Sequence, residues 1–380
     1  MKHSCDVAII GAGIAGASLA YRLTQMGVTD VVVLERESAA GYHTSGRSAQ
    51  VFLTFSLDSF ERRVTVAAGE FLRQPPAGFV SASDQGDAGL FRATGVLLLF
   101  DPPDLPQAFG AARALNELGH EAVILSDRDI PDYSPVPDLR PAAGAVYLPR
   151  DGRLRVPLLL DSYLRGARDR GAEVLYQTTV TGVRRKGDAC AAVITDRGEL
   201  ASRVVVNAAG PWAGQLAELA GASKIAMRPS RRTVITFAAP AGVDVSDWPL
   251  VGYESRKLYF APEGGGLLAS PMDEEPMSPG DARADPAVIA QTRARLAELV
   301  PSIAPAEVHS VRAGLRTFAP DDRLIIGEDP ALRGFFWLAG QGGWGIESSP
   351  VISQIAAEIL LRGTSSWPEA AALSPSRFVS

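Results

Sequence analysis

The stretch DVAIIGAGIAGASLAYRLTQMGVTDVVVLE, residues 6–35, decides the fold. A short apolar run meets Gly11, Gly13 and Gly16, a helix rich in small residues follows, and a second apolar run ends at Glu35. This order is typical of a dinucleotide-binding βαβ unit, in which glycines let the backbone approach a pyrophosphate at the helix N-terminus. Glu35 stands where a carboxylate accepts hydrogen bonds from an adenosine ribose. The sequence therefore predicts a bound dinucleotide; the alternative is a glycine-rich turn that only packs helix on strand.

The length, charge and cysteine content limit what kind of protein this can be. A chain of 380 residues exceeds one ordinary hydrophobic core and predicts two domains. The net charge of -6 argues against a nucleic-acid partner, and no apolar run is long enough for a membrane span. The first strand begins too early to leave room for a signal peptide. Two isolated cysteines and four scattered histidines offer neither a disulfide framework nor a metal site, so we expect a cytoplasmic protein.

A second glycine-rich turn lies near the C-terminus, in FFWLAGQGGWGIESSPVISQIAAEILL, residues 335–361. It joins a predicted strand to a predicted helix whose apolar residues recur at helical spacing. Because such turns occur at both ends of the chain, we expect the C-terminus to complete the nucleotide-binding domain around an inserted second domain. The expected nucleotide-binding segments are 1–74, 150–221 and 315–380, and the expected segments of the second domain are 75–149 and 222–314.

The second turn favours a flavin over a nicotinamide. A domain that binds only NAD has no evident use for another glycine-rich helix start, whereas an isoalloxazine ring needs a binding surface of its own. Backbone amides of residues 342–346 would lie beside the pyrimidine end of the ring, where the helix dipole stabilises the anionic reduced flavin. Ala208, Ala209 and Gly210 would let a third strand run close to the cofactor. A turn that only packs is the alternative.

Five motifs together resemble the FAD-dependent D-amino acid oxidase and dehydrogenase family, and within it the bacterial D-arginine dehydrogenase type. They are GAGIAG (11–16) with Glu35, GYHTSGRSA (41–49), VVVNAAGPW (204–212), AGLRTF (313–318) and AGQGGWGIESS (339–349). The resemblance covers nearly the whole chain. It implies an α/β fold: a Rossmann-like FAD-binding domain of the D-amino acid oxidase type with an inserted mixed-sheet α+β substrate domain.

The resemblance also implies which residues contact FAD. The residues expected to bind the cofactor are Gly11, Gly13, Ile14, Ala15, Gly16, Glu35, Arg36, His43, Thr44, Ser45, Gly46, Arg47, Ser48, Ala49, Gln50, Val180, Ala209, Gly210, Trp212, Gly314, Gly342, Gly343, Trp344, Gly345, Ile346 and Glu347. The loop containing Ser45–Ser48 is expected to pass over the flavin and to donate hydrogen bonds to its ring and phosphates. The cysteine positions that some family members use for a covalent link are empty here, so we expect noncovalent FAD, with a link to His43 left open.

Oxidation of an amino acid requires that the hydrogen on Cα point at flavin N5, and the family orients it by gripping the carboxylate with arginine. Arg232 and Arg316 are the candidates because a planar guanidinium pairs bidentately with a carboxylate. Arg231 is the alternative to its neighbour Arg232. A family tyrosine that also reaches the carboxylate matches Tyr259. The expected catalytic residues are Arg232, Tyr259, Arg316, Gly343 and Trp344.

The expected substrate pocket consists of Val51, Leu53, Ser56, Thr94 and Leu250. Thr94 stands where the D-arginine dehydrogenase type carries a glutamate that meets the cationic substrate. An uncharged pocket cannot offset the desolvation of a guanidinium, so we expect a neutral or hydrophobic side chain, although Glu254 leaves room for an acid. No histidine lies in the motifs expected around the substrate, which favours an amine over a 2-hydroxy acid because alcohol oxidation calls for a general base.

These observations predict an FAD-dependent amino acid oxidoreductase. The main hypothesis is oxidative deamination of a D-amino acid by hydride transfer from Cα to flavin N5, giving an imino acid that hydrolyses to a 2-oxo acid. The expected partners are this small-molecule substrate and, as electron acceptor, oxygen or a quinone. One alternative is oxidation of a secondary amine, as in sarcosine or glycine oxidase. The other is a protein that binds FAD without turnover.

Overall fold

The computed structural model describes residues 2–81, 83, 89–305 and 307–379. Its strands are β1 (Ser4–Ile10), β2 (Val31–Leu34), β3 (Val51–Phe52), β4 (Phe91–Arg92), β5 (Val96–Phe100), β6 (Val123–Ser126), β7 (Gly144–Leu148), β8 (Gly152–Leu154), β9 (Glu173–Leu175), β10 (Val180–Lys186), β11 (Ala189–Thr195), β12 (Gly198–Asn207), β13 (Arg228–Phe237), β14 (Leu250–Tyr253), β15 (Leu258–Glu263), β16 (Gly266–Ser270), β17 (Ser310–Phe318), β18 (Ile325–Glu328) and β19 (Phe335–Ala339). Its α-helices are α1 (Ile14–Gln25), α2 (Ser59–Arg73), α3 (Leu105–Glu117), α4 (Ile130–Tyr133), α5 (Val156–Arg168), α6 (Ala213–Ala220), α7 (Pro286–Leu299) and α8 (Ser349–Arg362).

The first sheet is built around the predicted βαβ unit, which the structure confirms as β1, α1 and β2. β1 pairs in parallel with β2 on one side and with β12 on the other, and β9 extends the sheet beyond β2. β19 pairs in parallel with the last residues of β12, whereas the β10–β11 hairpin joins its first residues antiparallel. β18 lies antiparallel to β19. The parallel strands β1, β2, β12 and β19 therefore end at one edge, and both glycine-rich turns begin there.

Helices cover both faces of this sheet. α1, α5 and α8 share one apolar core, in which Leu19, Tyr163 and Ile355 are almost completely buried. α6 covers the other face, where Leu216 packs against the sheet. Burial of each such side chain contributes about 1.5–3 kcal/mol relative to exposure. The two cores fix the position of the edge at which the strands end.

The second sheet has the strand order β17-β13-β16-β15-β14-β5-β7-β6. Neighbouring strands are antiparallel except for β14 and β5, which are parallel. α7 packs on one face through Leu296 and Leu299, and α3 packs on the other through Ala112 and Leu115. A short sheet of β3, β8 and β4 lies apart from both.

One expected domain boundary falls inside a strand. The sequence analysis divides the chain between residues 314 and 315, but β17 continues through this point. It pairs with β13 from Arg228↔Phe318 to Thr236↔Ser310, so the whole strand belongs to the second sheet. The division into two domains otherwise stays a prediction.

Candidate functional site

A cavity of about 1030 Å³ runs from the strand ends of the first sheet to the face of the second sheet. Its wall includes the turn after β1, the loop from Gly41 to Val51, the turn after β12 and the turn after β19. The second sheet contributes residues of β13, β14, β15 and β17. The cavity thus joins the two regions in which the sequence analysis expects functional residues.

At the first end of the cavity, the backbone of the glycine-rich turn makes close contacts. Gly11 has φ 107°, and a Cβ there would lie 2.4 Å from the carbonyl oxygen of Ala208. Glu35 Oε2 accepts a hydrogen bond from the Ala12 amide at 2.8 Å, and Glu35 Oε1 accepts one from the Glu37 amide at 2.9 Å. Ser45 Oγ accepts from the Ile14 amide at 3.0 Å. A carboxylate has about four lone-pair sites, so Glu35 can still accept from a ligand.

Aromatic and charged groups continue this end beyond Glu35. The guanidinium of Arg36 lies 3.7 Å from the ring centroid of Trp212, and the His43 ring lies 4.7 Å from the same ring. His43 Nε2 contacts Glu37 Oε1 at 2.8 Å. Its other nitrogen, Nδ1, is buried and has no partner within the described part of the chain. The arrangement leaves a flat cation–aromatic surface and one buried ring nitrogen on the cavity wall.

The loop after β2 is held by its side chains rather than free to adapt. Thr44 Oγ1 donates to the Leu315 carbonyl at 2.7 Å. Arg47 donates to the carbonyl oxygens of Ala282 and Ala313 and forms an ion pair with Asp281 at 2.5 Å. These contacts fasten the loop to β17 and its surroundings, and the expected donation from Arg47 to a cofactor stays a prediction.

Ser48 and Thr317 carry hydroxyl groups of a different kind. Both residues lie on the cavity wall, and both hydroxyl oxygens are buried with no hydrogen-bond partner among the residues that the structure describes. Buried polar groups are normally paired because an unpaired one costs about 1–3 kcal/mol. These two hydroxyls therefore indicate a polar ligand in the cavity.

At the second end, Arg232 and Arg316 approach each other from neighbouring strands. Ser230 of β13 pairs with Arg316 of β17, which places Arg232 and Arg316 on the same face as diagonal neighbours. Arg232 donates from Nε to the Asp273 carbonyl at 2.9 Å. Burial, and after it the charge of Arg316, lower the pKa of Arg232 to about 10.

Arg316 and Tyr259 are the unpartnered groups at this end. In the described part of the chain, no hydrogen bond or ion pair is formed by the Arg316 guanidinium or the Tyr259 hydroxyl, although Tyr259 is only 7% exposed. Arg231, by contrast, is absent from the wall and pairs with Asp273 and Glu275. The structure therefore brings Arg232 rather than Arg231 to the cavity.

The turn after β19 lies directly against Arg316. A Cβ at Gly343 would lie 2.5 Å from the Arg316 Nη1 atom, so only glycine leaves this space to the guanidinium. Trp344 follows on the wall, with its ring 6.3 Å from the Phe60 ring. Burial raises the pKa of Glu347 to about 8, and the Arg316 charge acts in the opposite direction. The turn thus places a carboxyl group with a raised pKa near the Arg316 guanidinium.

Part of the cavity wall is an apolar surface. The side chains on it are Val51, Leu53, Phe55, Leu98, Val234, Leu250 and Met272. At its edge Ser56 Oγ donates to Glu61 Oε2 at 2.6 Å, and burial raises the pKa of Glu61. Glu254 reaches the wall from the turn after β14.

Most of the predicted site residues lie on this wall, and three do not: Gly16, Gly46 and Thr94. A Cβ at Gly16 would lie 1.9 Å from the Gly11 carbonyl, and one at Gly46 would lie 2.5 Å from the Gly41 carbonyl, so these glycines permit close backbone packing. Thr94 lies between β4 and β5 with its hydroxyl buried. The chain turns at Gly95, whose amide donates to the Asp151 carbonyl, and Leu98 reaches the wall instead.

Sequence reasoning missed several wall residues. Phe55 could have been predicted, because it follows Val51 and Leu53 at a spacing of two residues, which places side chains of an extended segment on the same face. Glu61 follows Asp58, whose carboxylate caps α2, and this spacing is typical of a helix start rather than of a site. Leu98 and Met272 carried no signal, since each lies in a segment that also fits an ordinary core.

Two features are absent from the ranges that the structure describes. No group of three or more His, Cys, Asp or Glu residues there could hold a metal ion. No helix in the same ranges is both long and apolar enough to cross a membrane.

Comparison with known proteins adds a family and a set of similar structures. A family model described as DAO, FAD dependent oxidoreductase, matches residues 6–359. The chain is 26% identical over 353 residues to mitochondrial sarcosine dehydrogenase from Mus musculus, and the matched region covers 88% of this chain and 37% of that enzyme. L-proline dehydrogenase from P. horikoshii has a TM-score of 0.87 at 21% identity, covering 100% of this chain and 98% of that one. Glycine oxidase from Geobacillus kaustophilus has a TM-score of 0.84 at 23% identity and covers both chains completely.

These similarities differ in what they establish. The chain spans less than half the length of the sarcosine dehydrogenase. At their level of identity the two solved structures show a shared fold, and they confirm the predicted fold class. The finer resemblance, to the D-arginine dehydrogenase type, is not shown by these comparisons.

Proposed function

The chain belongs to the DAO family of FAD-dependent oxidoreductases, and from this premise we propose that it oxidises a small amino acid whose nitrogen carries a substituent. The observation that carries the proposal is the Arg316 guanidinium, which faces the cavity beside Arg232 without a carboxylate partner in the described ranges. A second candidate, a D-amino acid with an apolar side chain, is favoured by the apolar surface that includes Leu53, Phe55 and Leu98.

FAD fits the first end of the cavity on several independent grounds. The start of α1, with Gly13, Ile14 and Ala15, lies on the cavity wall, where the helix dipole favours the negative charge of a ligand's phosphates. Glu35 retains acceptor capacity for a ribose, and Arg36 with Trp212 offers a flat surface for a ring. The unpartnered His43 Nδ1, Ser48 Oγ and Thr317 Oγ1 supply polar contacts along the way. We propose that these residues hold noncovalent FAD.

The second end suits a carboxylate. Arg232 and Arg316 carry like charges on one wall, and Glu274, 3.4 Å from Arg232, balances only part of this charge, so a further anion beside them is favourable. Arg316 and the Tyr259 hydroxyl have free donors for such an anion, and Gly343 leaves the guanidinium the space it occupies. Charge-assisted hydrogen bonds from a planar guanidinium fix the direction of the carboxylate as well as its affinity. We propose that Arg316, Tyr259 and Arg232 orient the substrate through this group.

The choice of a substituted amine rests on the relatives and on the charges of the site. Two of the relatives described above are named for sarcosine and L-proline, whose nitrogen carries a substituent, and we infer the same substrate class here; the third is named for glycine, whose nitrogen carries none. An amine must lose its ammonium proton before a neighbouring carbon is oxidised. The positive charges of Arg232 and Arg316 lower the pKa of a bound ammonium group, so its proton can leave to solvent without a dedicated base.

Bound FAD supplies the two-electron acceptor for the hydride that leaves the carbon next to nitrogen. Loss of the hydride from the neutral amine leaves an iminium ion, and water converts this ion to a carbonyl compound and a free amine with release of one proton. The apolar side chains of Leu53, Phe55 and Leu98 exclude water from the substituent side of the substrate. Oxygen and a quinone both remain proposed acceptors for the reduced enzyme.

Anaerobic mixing of the purified flavoprotein with a substrate panel tests the proposal. The panel contains sarcosine, N,N-dimethylglycine, L-proline and glycine, with D-leucine and D-phenylalanine for the second candidate and D-lactate as a hydroxy-acid control. We expect bleaching of the flavin absorbance by one or more of the substituted amines and none by D-lactate. Bleaching by the D-amino acids alone would replace the first candidate with the second. An unchanged spectrum across the panel would contradict both and favour an FAD-binding protein without turnover.

A further inference from the structure

A completely buried polar group lies behind the apolar surface of the cavity. Asp151 is 0% exposed, and its Oδ2 atom accepts hydrogen bonds from the Thr54 amide at 2.6 Å and from the Thr54 hydroxyl at 2.8 Å. Its Oδ1 atom contacts Nε2 of His120 at 2.9 Å, and His120 is itself 1% exposed. None of these three side chains lies on the cavity wall. The group therefore has no direct part in ligand binding.

Thr54 belongs to an extended segment whose side chains alternate between two faces. Val51, Leu53 and Phe55 lie on the cavity wall, whereas Phe52 and Thr54 are completely buried and absent from it. Because the side-chain period of extended chain is two residues, a slip of one position would exchange the two faces. The double hydrogen bond from Thr54 to one carboxylate oxygen holds the segment in the register that presents Leu53 and Phe55.

Asp151 also connects this segment to the strand that supplies Leu98. Its own carbonyl oxygen accepts from the Gly95 amide at 2.9 Å, directly before β5. A buried carboxylate is tolerable only when its lone pairs are satisfied and a positive partner is near. Thr54 and His120 satisfy it, and Arg73 lies 3.9 Å away. One residue thus fixes two neighbouring parts of the apolar surface.

We propose that Asp151 is a positioning residue that sets, through Thr54, the size of substituent the cavity accepts. The proposal rests on the proposed function, because it assumes that a carboxylate ligand at Arg316 extends its substituent toward Leu53 and Phe55. Loss of the Thr54 anchor lets this segment move outward while the arginines, which lie on β13 and β17, stay where they are. The selectivity between large and small carboxylates changes, and the affinity for the carboxylate group itself does not.

The test compares acetate and benzoate binding to the holoenzyme, with the flavin absorbance spectrum as the readout. Thr54→Val removes the hydroxyl donor at nearly constant volume, and Thr54→Ser retains it. In Thr54→Val we expect the ratio of the two dissociation constants to change about fivefold or more, since a hydrogen bond to a charged group commonly accounts for a factor of that order. In Thr54→Ser the ratio stays within about twofold of wild type, and acetate affinity stays within about twofold in both.

Ser223→Ala provides a matched control for a purely structural effect. Ser223 also donates its amide and its hydroxyl to one buried carboxylate, that of Asp329, but neither residue lies on the cavity wall. This variant should lower the melting temperature and leave the acetate-to-benzoate ratio unchanged. A changed ratio in Ser223→Ala equal to that in Thr54→Val would overturn the inference.

Asp151→Ala extends the test, and Thr54→Val decides it if Asp151→Ala does not fold. A folded Asp151→Ala enzyme should show a ratio changed by about tenfold or more, because both hydrogen bonds from Thr54 to the carboxylate are lost. A wild-type protein that retains FAD but binds neither acid would refute the carboxylate clamp, and with it this inference. A wild type that binds both, with an unchanged ratio in Thr54→Val, would overturn the positioning role and leave the proposed function intact.

Discussion

The two ends of the cavity are built in different ways. The first end is built around one continuous segment, which supplies the turn at Gly11, the start of α1 and the carboxylate of Glu35. The second end consists of side chains from separate strands, with Arg232 on β13, Tyr259 on β15 and Arg316 on β17. A continuous segment tolerates little change at a single point, whereas side chains on separate strands can be removed one at a time. The predictions below test this contrast.

Gly11→Ala should have the largest effect and should act on FAD binding. The new Cβ would lie 2.4 Å from the Ala208 carbonyl at a φ of 107°, which a residue with a side chain rarely adopts. We expect FAD affinity to fall by about two orders of magnitude, since such strain costs on the order of 3 kcal/mol. The measurement is the ratio of flavin to protein absorbance after gel filtration.

Gly27→Ala is the control for Gly11→Ala. Gly27 also has a positive φ, 92°, but a Cβ there would meet nothing within 4 Å. This variant should lose some stability and keep its flavin. Equal loss of flavin in the two variants would show that strain anywhere in the βαβ unit, rather than the close approach at Gly11, is responsible.

Arg316→Met should weaken substrate binding at the second end of the cavity and leave FAD binding at the first end unchanged. Removal of a charge-assisted pair with a carboxylate typically costs about 2–5 kcal/mol, so the substrate concentration for half-maximal anaerobic flavin reduction should rise by about a hundredfold or more. The flavin content should equal that of wild type. Arg316→Lys keeps the charge without the planar fork and should give an intermediate value. Unchanged reduction by both variants would remove Arg316 from the substrate site.

Gly343→Ala should have a smaller effect that depends on Arg316. Its Cβ would lie 2.5 Å from Arg316 Nη1, and the flexible guanidinium can move aside at the expense of its orientation. We expect about tenfold weaker acetate binding, measured by titration of the flavin spectrum. In an Arg316→Met background the same substitution should add almost nothing, because the two residues are in contact. Additive effects in the double variant would mean that Gly343 serves the backbone of the turn instead.

Glu347→Gln should have the smallest effect, visible as a change in the pH dependence of stability. The folded protein holds the Glu347 proton up to about pH 8, whereas an unfolded glutamate releases it near pH 4.5. Between these values the folded state binds more protons, so the Glu347 contribution makes the wild type less stable as pH rises. The melting temperature of Glu347→Gln relative to wild type should therefore increase as the pH rises through this window and level off above it. Each change of about 1 kcal/mol in the free energy of unfolding corresponds to a few degrees. A difference that is the same at all pH values would contradict the shifted pKa.

The two ends of the cavity also differ in how well their residues could be predicted from the sequence. The turn at Gly11, Gly13 and Gly16 and the acid at Glu35 were readable because strand, turn, helix and strand follow one another within one segment. The pattern alone could not decide between Arg231 and Arg232. They are consecutive residues of one strand, so their side chains lie on opposite faces, and the pattern does not say which face meets the cavity. The register of β13 against β17 brings Arg232 to the cavity and leaves Arg231 to pair with Asp273 and Glu275.

Thr94 and Arg47 show what a local pattern leaves out. The family resemblance places Thr94 in the substrate pocket, but Thr94 is absent from the cavity wall and Leu98 lies on it. Arg47 lies on the wall, and its guanidinium contacts Asp281 and two carbonyl groups from distant segments, so its contact with the flavin stays a prediction. These contacts join residues far apart along the chain, and the local sequence therefore does not reveal them.

The amino-acid pattern was sufficient to predict the βαβ unit, the second glycine-rich turn and the family resemblance, because each depends on residues that are neighbours along the chain. Strand pairing was needed to show which guanidinium groups face the cavity, which apolar side chains line it and what holds them there. Asp151 supports Thr54 across 97 positions of the chain. Such a contact exists only once the strands have paired, and therefore no local pattern could reveal it.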